Sequence, residues 1–445
     1  MGYKQSQYNI LIKSTKDKKY LYNTYSGALC VLTENNYKTL KNIENLTNND
    51  DELINNLKEQ GFIVDKNLNE YNRILFSQYR QVFNANTQSL SFVIAPTLKC
   101  NLKCVYCFES QSCKVDGFSE KTQKEVLEFI KNKIEKNPNL KLVTVDWFGG
   151  EPMLKYNEIV SFSSSIINFC KEKNITYRSC MLTNGILLTK EKAISLKEKC
   201  NLYSVQIPLD GMPDMYCKLK NTNKDVFDKV INNIIDVCEI MRVQVRLNTN
   251  RQNYESIKNL TKYLLIDKNL HNKIKLYIAE LKYFDGYTDF DKDSCLENAD
   301  FVDTKLDFLN FVKNNLKLTD FKFMYDKPKS VTCGLCRADN FVIGPVGELY
   351  RCEHHVGHDE DIIGDCVYGR YFTDLDMNFI IPKNKLKCKK CKFYPTCMCG
   401  CKSGFLLNGN NKNFCESTKK GLIELLKIKI KDLENNIDTE YGKRR

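Results

Sequence analysis

The sequence predicts an α/β protein: a partial, TIM-like (β/α)6 barrel, preceded by a winged-helix-like module and followed by a cysteine-rich domain. Three observations carry this prediction. Strand-like and helix-like segments alternate from about residue 90 to 281, the first 85 residues run strands before helices, and ten of the 21 cysteines crowd between Cys333 and Cys415. At about 150 residues per domain, a chain of 445 residues suits three units, 1–85, 86–320 and 321–445.

In the first unit, strand-like runs occur at Tyr8–Lys13, Lys19–Asn23 and Ala28–Leu32, the last two joined by the turn signal Ser26-Gly27. Thr33 suits an N-cap for a helix through Ile43, Asn49 or Asp50 for another through Gln60 that Gly61 stops, and a third is expected over Leu68–Val82. The polar stretch Asn84–Ser89 reads as a linker. Barrel strands are expected at Leu90–Pro96, Leu142–Phe148, Thr176–Leu182, Leu202–Leu209, Gln244–Asn250 and Lys273–Leu281. Amphipathic segments near Glu120–Glu135, Glu158–Lys171, Lys190–Glu198, Lys224–Cys238 and Tyr254–Leu264 separate them, which implies parallel strands with right-handed crossovers. A closing helix is expected over about Thr418–Asn436.

Composition narrows the function classes. Hydrophobic residues make up 42% and charged residues 27%, enough for a sizeable core. No apolar run reaches the roughly eighteen residues a membrane span needs, and Met1–Ile10 lacks the apolar stretch of a secretion signal, so a cytoplasmic protein is expected. The net charge of +12 comes from lysines scattered without a dense basic block. It is read as a solvated surface rather than a nucleic-acid site, with an acidic peptide partner left open. In a reducing compartment 21 cysteines point to metal or redox chemistry rather than disulfides. Isolated ones, Cys113 and Cys170 among them, read as small buried residues.

Directly after the first barrel strand stands Cys100-x3-Cys104-x2-Cys107, with Tyr106 before the third cysteine. Three thiolates can hold three irons of a cubane cluster and leave the fourth open to a ligand. Zinc would want a fourth partner, and the first histidine in the chain is His271. This motif, opening a βα barrel, resembles the radical S-adenosylmethionine (SAM) superfamily. The resemblance implies a 4Fe–4S cluster on Cys100, Cys104 and Cys107, whose open iron chelates the methionine part of SAM. Reductive cleavage would then give a 5′-deoxyadenosyl radical that takes hydrogen from substrate. Gly149-Gly150-Glu151-Pro152 after the second strand resembles the family's glycine-rich motif, its glycines admitting the methionine ammonium and Glu151 adding charge there. Asn184 after the third strand, and Gln206 and Asp210 at the fourth, resemble positions lining the ribose and carboxylate. Pro208 departs from the serine many relatives carry. Tyr106 joins this cofactor-binding set; Arg246 and Asn248 are weaker candidates, core or structural roles being as good a reading.

The later cysteines read Cys336-x10-Gly347-x4-Cys352, then Cys388-x2-Cys391-x5-Cys397-x3-Cys401-x13-Cys415. This matches the seven-cysteine SPASM pattern of radical enzymes that modify peptides and proteins, and implies two auxiliary 4Fe–4S clusters, three in all. On that pattern Cys352 and Cys401 join Cys336, Cys333 or both, while Cys388, Cys391, Cys397 and Cys415 close the other cluster. Were only one of Cys333 and Cys336 a ligand, an iron would stay open for a substrate thiolate. Cys366 and Cys399 fall outside the pattern, and His354, His355 and His358 read as surface groups or groups behind the ligands.

The resemblance implies a maturase of a ribosomally made precursor peptide, resembling thioether-forming ranthipeptide and sactipeptide synthases. The leader would bind the N-terminal module by strand addition, and the radical would lead to a cysteine-to-carbon thioether. An external donor such as flavodoxin or ferredoxin would supply electrons. An anaerobic sulfatase-maturing enzyme, making formylglycine from Cys or Ser, is the alternative. A non-catalytic metal-binding adaptor is a third reading. No protein general base can be chosen from the sequence.

Overall fold

The computed structural model describes residues 2–14, 17–45, 52–83, 87–109, 116–283, 290–318, 321, 328–382, 386–403 and 412–442. Cys113, the Asn49 and Asp50 cap and half of the expected linker, residues 84–86, lie outside them.

The N-terminal unit comprises β1 (Tyr3–Gln5), β2 (Asn9–Lys13), β3 (Lys19–Asn23), β4 (Leu29–Leu32), α1 (Glu34–Lys41), α2 (Glu52–Glu59), β5 (Ile63–Asp65) and α3 (Glu70–Phe83). The three expected strand runs are present and pair as an antiparallel sheet, β2–β3–β4. Thr33 caps α1 by accepting from the Asn36 N–H at 3.1 Å, and Gly61 follows α2 at φ +79°, a conformation costly for residues with a Cβ. The antiparallel pair β1–β5 was not expected: each strand is three residues long, too short for an alternating pattern to show.

The barrel strands are β6 (Ser89–Ile94), β7 (Leu142–Trp147), β8 (Thr176–Leu182), β9 (Leu202–Leu209), β10 (Arg242–Thr249) and β11 (Ile274–Glu280), parallel and hydrogen-bonded in chain order. Between them lie α4 (Glu120–Glu135), α5 (Tyr156–Glu172), α6 (Lys190–Cys200), α7 (Pro213–Lys220), α8 (Lys224–Val237) and α9 (Tyr254–Lys262), and α10 (Asn298–Asn310) follows β11. The apolar faces of strands and helices meet in one large core that includes Val145, Trp147, Phe162, Ile207 and Ile234. The short α7 and α10 were not expected from the sequence.

The sheet does not close on itself. On the far side of β6 it continues through β12 (Phe341–Ile343), β13 (Glu348–Tyr350), β14 (Gly364–Asp365) and β15 (Gly369–Arg370), with β12 parallel to β6 and the rest antiparallel. The barrel and the cysteine-rich region therefore share one sheet. Gly347 of the cysteine pattern, at φ +97°, turns the hairpin between β12 and β13. Among the described residues, α11 (Asp374–Ile380), α12 (Leu386–Lys389), α13 (Tyr394–Cys397) and α14 (Lys412–Gly442) follow, the last longer than expected.

Candidate active site

Parallel strands end on one side, so the loops after β6, β7, β8 and β9 converge. Gly150 N–H donates to Thr97 O at 3.1 Å and Glu151 N–H to Lys99 O at 2.9 Å, zipping the glycine turn to the cysteine loop. A Cβ on Gly149 would stand 2.3 Å from Thr97 O, and one on Gly150 would stand 2.4 Å from Lys99 O. These glycines therefore admit the neighbouring backbone of the cysteine loop, a reason the sequence alone did not supply.

Glu151 is fully buried and acts inside the scaffold. Its Oε1 accepts from Met153 N–H at 2.9 Å and Thr183 Oγ1 at 2.8 Å, and its Oε2 from Asn184 N–H at 2.8 Å. Burial raises its pKa, and those donors oppose the rise. Asn184 in turn donates to Asn101 Oδ1 at 2.7 Å and has Cys100 Sγ at 3.9 Å. The motifs after β6, β7 and β8 thus form one braced unit.

Under Cys104 lies a second network that the sequence did not disclose. Tyr106 donates to Asp210 Oδ2 at 2.6 Å, Lys220 Nζ donates to Tyr106 Oη at 2.6 Å, and Lys220 pairs with Asp210 Oδ2 at 3.1 Å. Asn248 Nδ2 reaches Tyr106 Oη at 3.3 Å, and Arg246 Nε donates to Asn248 Oδ1 at 2.8 Å. Burial opposes the charge on Lys220, yet Asp210 and Cys104 together hold its pKa well above the usual lysine value. Among the described residues the other Asp210 oxygen, Oδ1, is buried with no hydrogen-bond partner. A lysine is too common a residue for sequence spacing to have singled out Lys220.

The barrel interior is polar. Asp146, Cys180 and Ser204 occupy adjacent register positions, Ser204 Oγ lies 3.3 Å from Cys180 Sγ, and Tyr277 donates to Gln206 Oε1 at 2.7 Å. Gln206, expected near a ribose, is thus engaged with β11. The turn after Cys352 enters this space: Glu353 feels Asp146 and Arg246, and the His354 ring meets Phe108 edge-on at 4.8 Å. Burial pushes His354 down to about 4. His354 is half-buried, and His355 and His358 are buried, so the surface reading of these histidines is corrected. His355 spans Asp361, at 2.8 Å, and Ser403, at 3.2 Å.

The thiols fall into three groups. Cys100, Cys104 and Cys107 lie within each other's electrostatic reach, as do Cys333, Cys336 and Cys401, with Cys352 beside Cys401. Cys397 feels Cys415, Cys388 and Cys391, and Cys399 Sγ stands 3.6 Å from Cys388 Sγ although the pattern omits it. Cys366 is buried in the main core. Burial pushes Cys100 and Cys352 up to about 12, and Cys104, Cys336 and Cys397 up to about 11. Such thiols become thiolates only when a metal displaces their protons. Among the described residues no three His, Cys, Asp or Glu side chains converge on a point fit for one ion; cubane ligands surround a body of several atoms instead. An all-thiol donor set and the orphaned Asp210 Oδ1 fit iron–sulfur ligation with an organic cofactor beside it.

Next to Cys352, Arg351 is fully buried and pairs with Asp376 at 2.6 Å, while its Nη1 donates to Asn340 O at 2.7 Å. Arg370 reaches the other Asp376 oxygen at 2.8 Å. No spacing signal marked this frame. A cavity of about 600 Å³ lined by Arg178, Tyr203 and Arg242 opens at the opposite end of the strands.

Residues 94–264 match the family model described as the Radical SAM superfamily, a stretch that runs from the end of β6 past α9. The barrel is a radical SAM domain and the chain an enzyme of that class, a class that takes SAM and a 4Fe–4S cluster. Among proteins it is similar to, the cysteine-type anaerobic sulfatase-maturating enzyme of Clostridium novyi (strain NT) is 28% identical, over 75% of this chain and 94% of that one. The radical SAM cyclopropyl synthase TigE of Paramaledivibacter caminithermalis is 23% identical, over 97% of this chain and 96% of that one. Two solved structures share the fold. One is anSMEcpe with bound AdoMet and Cp18Cys peptide, with a TM-score of 0.61, 20% identity and coverage of 78% of this chain and 99% of that one. The other is Streptococcus suis SuiB bound to precursor peptide SuiA, with a TM-score of 0.51, 17% identity and coverage of 90% and 95%. No described helix here is long and apolar enough to cross a membrane.

Proposed function

We propose that this chain is a radical SAM maturase of a ribosomally made precursor peptide, which joins a cysteine sulfur to a substrate carbon as a thioether. The observation that carries this reading is the N-terminal unit. The similarity to TigE and to SuiB, the latter seen with a precursor peptide, extends over nearly the whole chain, whereas the sulfatase-maturating relative leaves about a quarter of it unmatched. An antiparallel sheet with an edge strand, β4, suits leader capture by strand addition.

In this reading Cys100, Cys104 and Cys107 hold the cluster, and Tyr106, Gly149, Gly150, Glu151, Pro152, Asn184, Gln206 and Asp210 build the SAM pocket around it. Bound there, SAM and the reduced cluster supply a 5′-deoxyadenosyl radical. The chain's own work is positional. Glu151 locks three loops together, Asp210 keeps one buried oxygen for a cofactor donor, and the polar interior receives the peptide between the cysteine loop and the Glu353 turn. Cross-linking removes a hydrogen atom from carbon and a proton from the thiol, which leaves one surplus electron. The grouping of Cys333, Cys336, Cys352 and Cys401 supports four protein ligands for a first auxiliary cluster; held by all four, it would offer no open iron to the substrate thiolate and would supply an acceptor for that electron. Cys388, Cys391, Cys397 and Cys415 would hold the second. The cytoplasm, where thiols stay reduced, suits all three clusters. An acidic flavodoxin or ferredoxin would serve as the external electron donor.

The test is anaerobic. Reconstituted protein given SAM, dithionite and the cysteine-bearing peptide encoded beside its gene should release deoxyadenosine and yield a product lighter by two hydrogens. The core peptide without its leader should react poorly. Formylglycine in a sulfatase peptide, with no change in the precursor, would support the sulfatase-type alternative instead.

A further inference from the structure

The segment carrying Cys388 and Cys391, α12 and the turn after it, is strongly basic. Between Asp376 and Glu416 the sequence holds eight lysines and no acidic residue. This corrects the expectation of lysines spread without a dense block. Lys387, Lys389, Lys390 and Lys392 interleave with the two cysteines and are all exposed. Among the described residues none of the four forms an ion pair, and Leu386 beside them is 82% exposed. The segment is held from within. Gln7 Nε2 donates to Lys389 O at 3.3 Å, Thr24 Oγ1 donates to Lys392 O, and Tyr394 packs on Tyr71 with ring centroids 5.1 Å apart.

Like charges gathered without counter-charges repel one another, and they attract and steer an oppositely charged partner. Electron-transfer complexes are small, short-lived and charge-guided, which suits a partner that must arrive, exchange one electron and leave. We infer that the segment Leu386–Lys392, α12 and the residues after it, docks an acidic one-electron carrier protein of the ferredoxin type. The inference rests on the proposed cluster at Cys388, Cys391, Cys397 and Cys415. The reduced carrier loses one electron, the cluster gains it, and no bond forms or breaks. An acidic peptide is the competing occupant. A cavity of about 200 Å³ beside the N-terminal unit is bordered by Lys392 but by none of Lys387, Lys389 and Lys390. A peptide seated there would leave three of the four charges unmatched.

The test compares the full reconstituted chain with two triple variants, one with Lys387→Gln, Lys389→Gln and Lys390→Gln and one with the same lysines changed to Glu. Binding of a small acidic ferredoxin is followed at rising salt. The unaltered chain should bind with salt-dependent affinity, the Gln variant about tenfold more weakly through slower association, and the Glu variant not measurably. Iron content is measured alongside, and the Gln variant decides the matter if the Glu variant loses iron. Equal binding by the Gln variant, salt-insensitive binding, or loss of peptide binding with carrier binding intact overturns the inference. Deoxyadenosine release by the unaltered chain with dithionite separates the two failures. Its absence faults the proposed function, while its presence together with unchanged carrier binding faults only the docking surface.

Discussion

At the scale of single residues, the site depends on side chains that serve other loops rather than the reacting atoms. Glu151→Ala would leave two buried donors, Met153 N–H and Thr183 Oγ1, and the part-buried Asn184 N–H without their acceptor. At about 1 kcal/mol or more for each unsatisfied group, the loss should reach about 3 kcal/mol, readable by urea unfolding, with Glu151→Gln costing less. Asp116 shows the same logic at the surface. Hydrogen bonding from Lys155 Nζ at 2.9 Å, with Lys99 adding to it, holds its carboxyl down at about 2, and so ties the cysteine loop to the start of α5. Its folded pKa is depressed, so its stabilisation is present above the usual carboxylate pKa and disappears as pH falls from about 4 to about 2. Because Asp116 is well exposed, the contribution is no more than about 1 kcal/mol. Asp116→Asn should therefore be slightly less stable at neutral pH and match the unaltered chain near the acid end of a pH series.

At the scale of elements, the N-terminal unit is fastened to the far end of the chain. Ile10, Ile12, Tyr20 and Tyr22 of β2 and β3 pack against Leu422, Leu426 and Ile430 of α14, and Tyr20 donates to Glu434 at 3.2 Å. The four-residue spacing on α14 sets those three side chains on one stripe. Leu426→Ala, in the middle of the stripe, should cost about 2–5 kcal/mol and loosen the unit. Earlier proteolytic cleavage after the N-terminal unit, followed over time, checks this. The α3 helix does the same work on the cysteine side, where Tyr71 and Ile74 bury Tyr394 and Met398 and Gln78 accepts from Tyr394 at 2.8 Å.

For the whole molecule, these contacts change what a truncation means. If residues 1–85 were a freely attached binding module, removing them would slow only peptide turnover. Packed as they are on α14 and on the Cys388–Cys399 region, their removal exposes Leu422, Leu426, Tyr394 and Met398. The truncated chain should melt at a lower temperature and retain less iron per chain than the full one, as calorimetry and iron analysis would record. The shared sheet has a similar consequence. Because β12 pairs with β6, the strand that delivers Cys100 is braced by the region that delivers Cys336 and Cys352.

Much of this was legible from residue order. Alternation of apolar residues gave β8 and β9 their full extents, cap residues such as Thr33 placed helix starts, and cysteine spacing marked the candidate ligands. Those features are local, written within a turn or a strand. Two short strands, β1 and β5, carried too little pattern to be seen. Only the folded chain decided that the two glycines fit against the cysteine loop and that Lys220 enters the Asp210 network. Of the three histidines near Cys352 it decided that two, His355 and His358, are buried and that His354 is half-buried. It also decided that the barrel and the cysteine-rich region share a sheet. Each of these joins residues far apart in sequence, where burial, register and close backbone approach exist only once packing has brought the segments together.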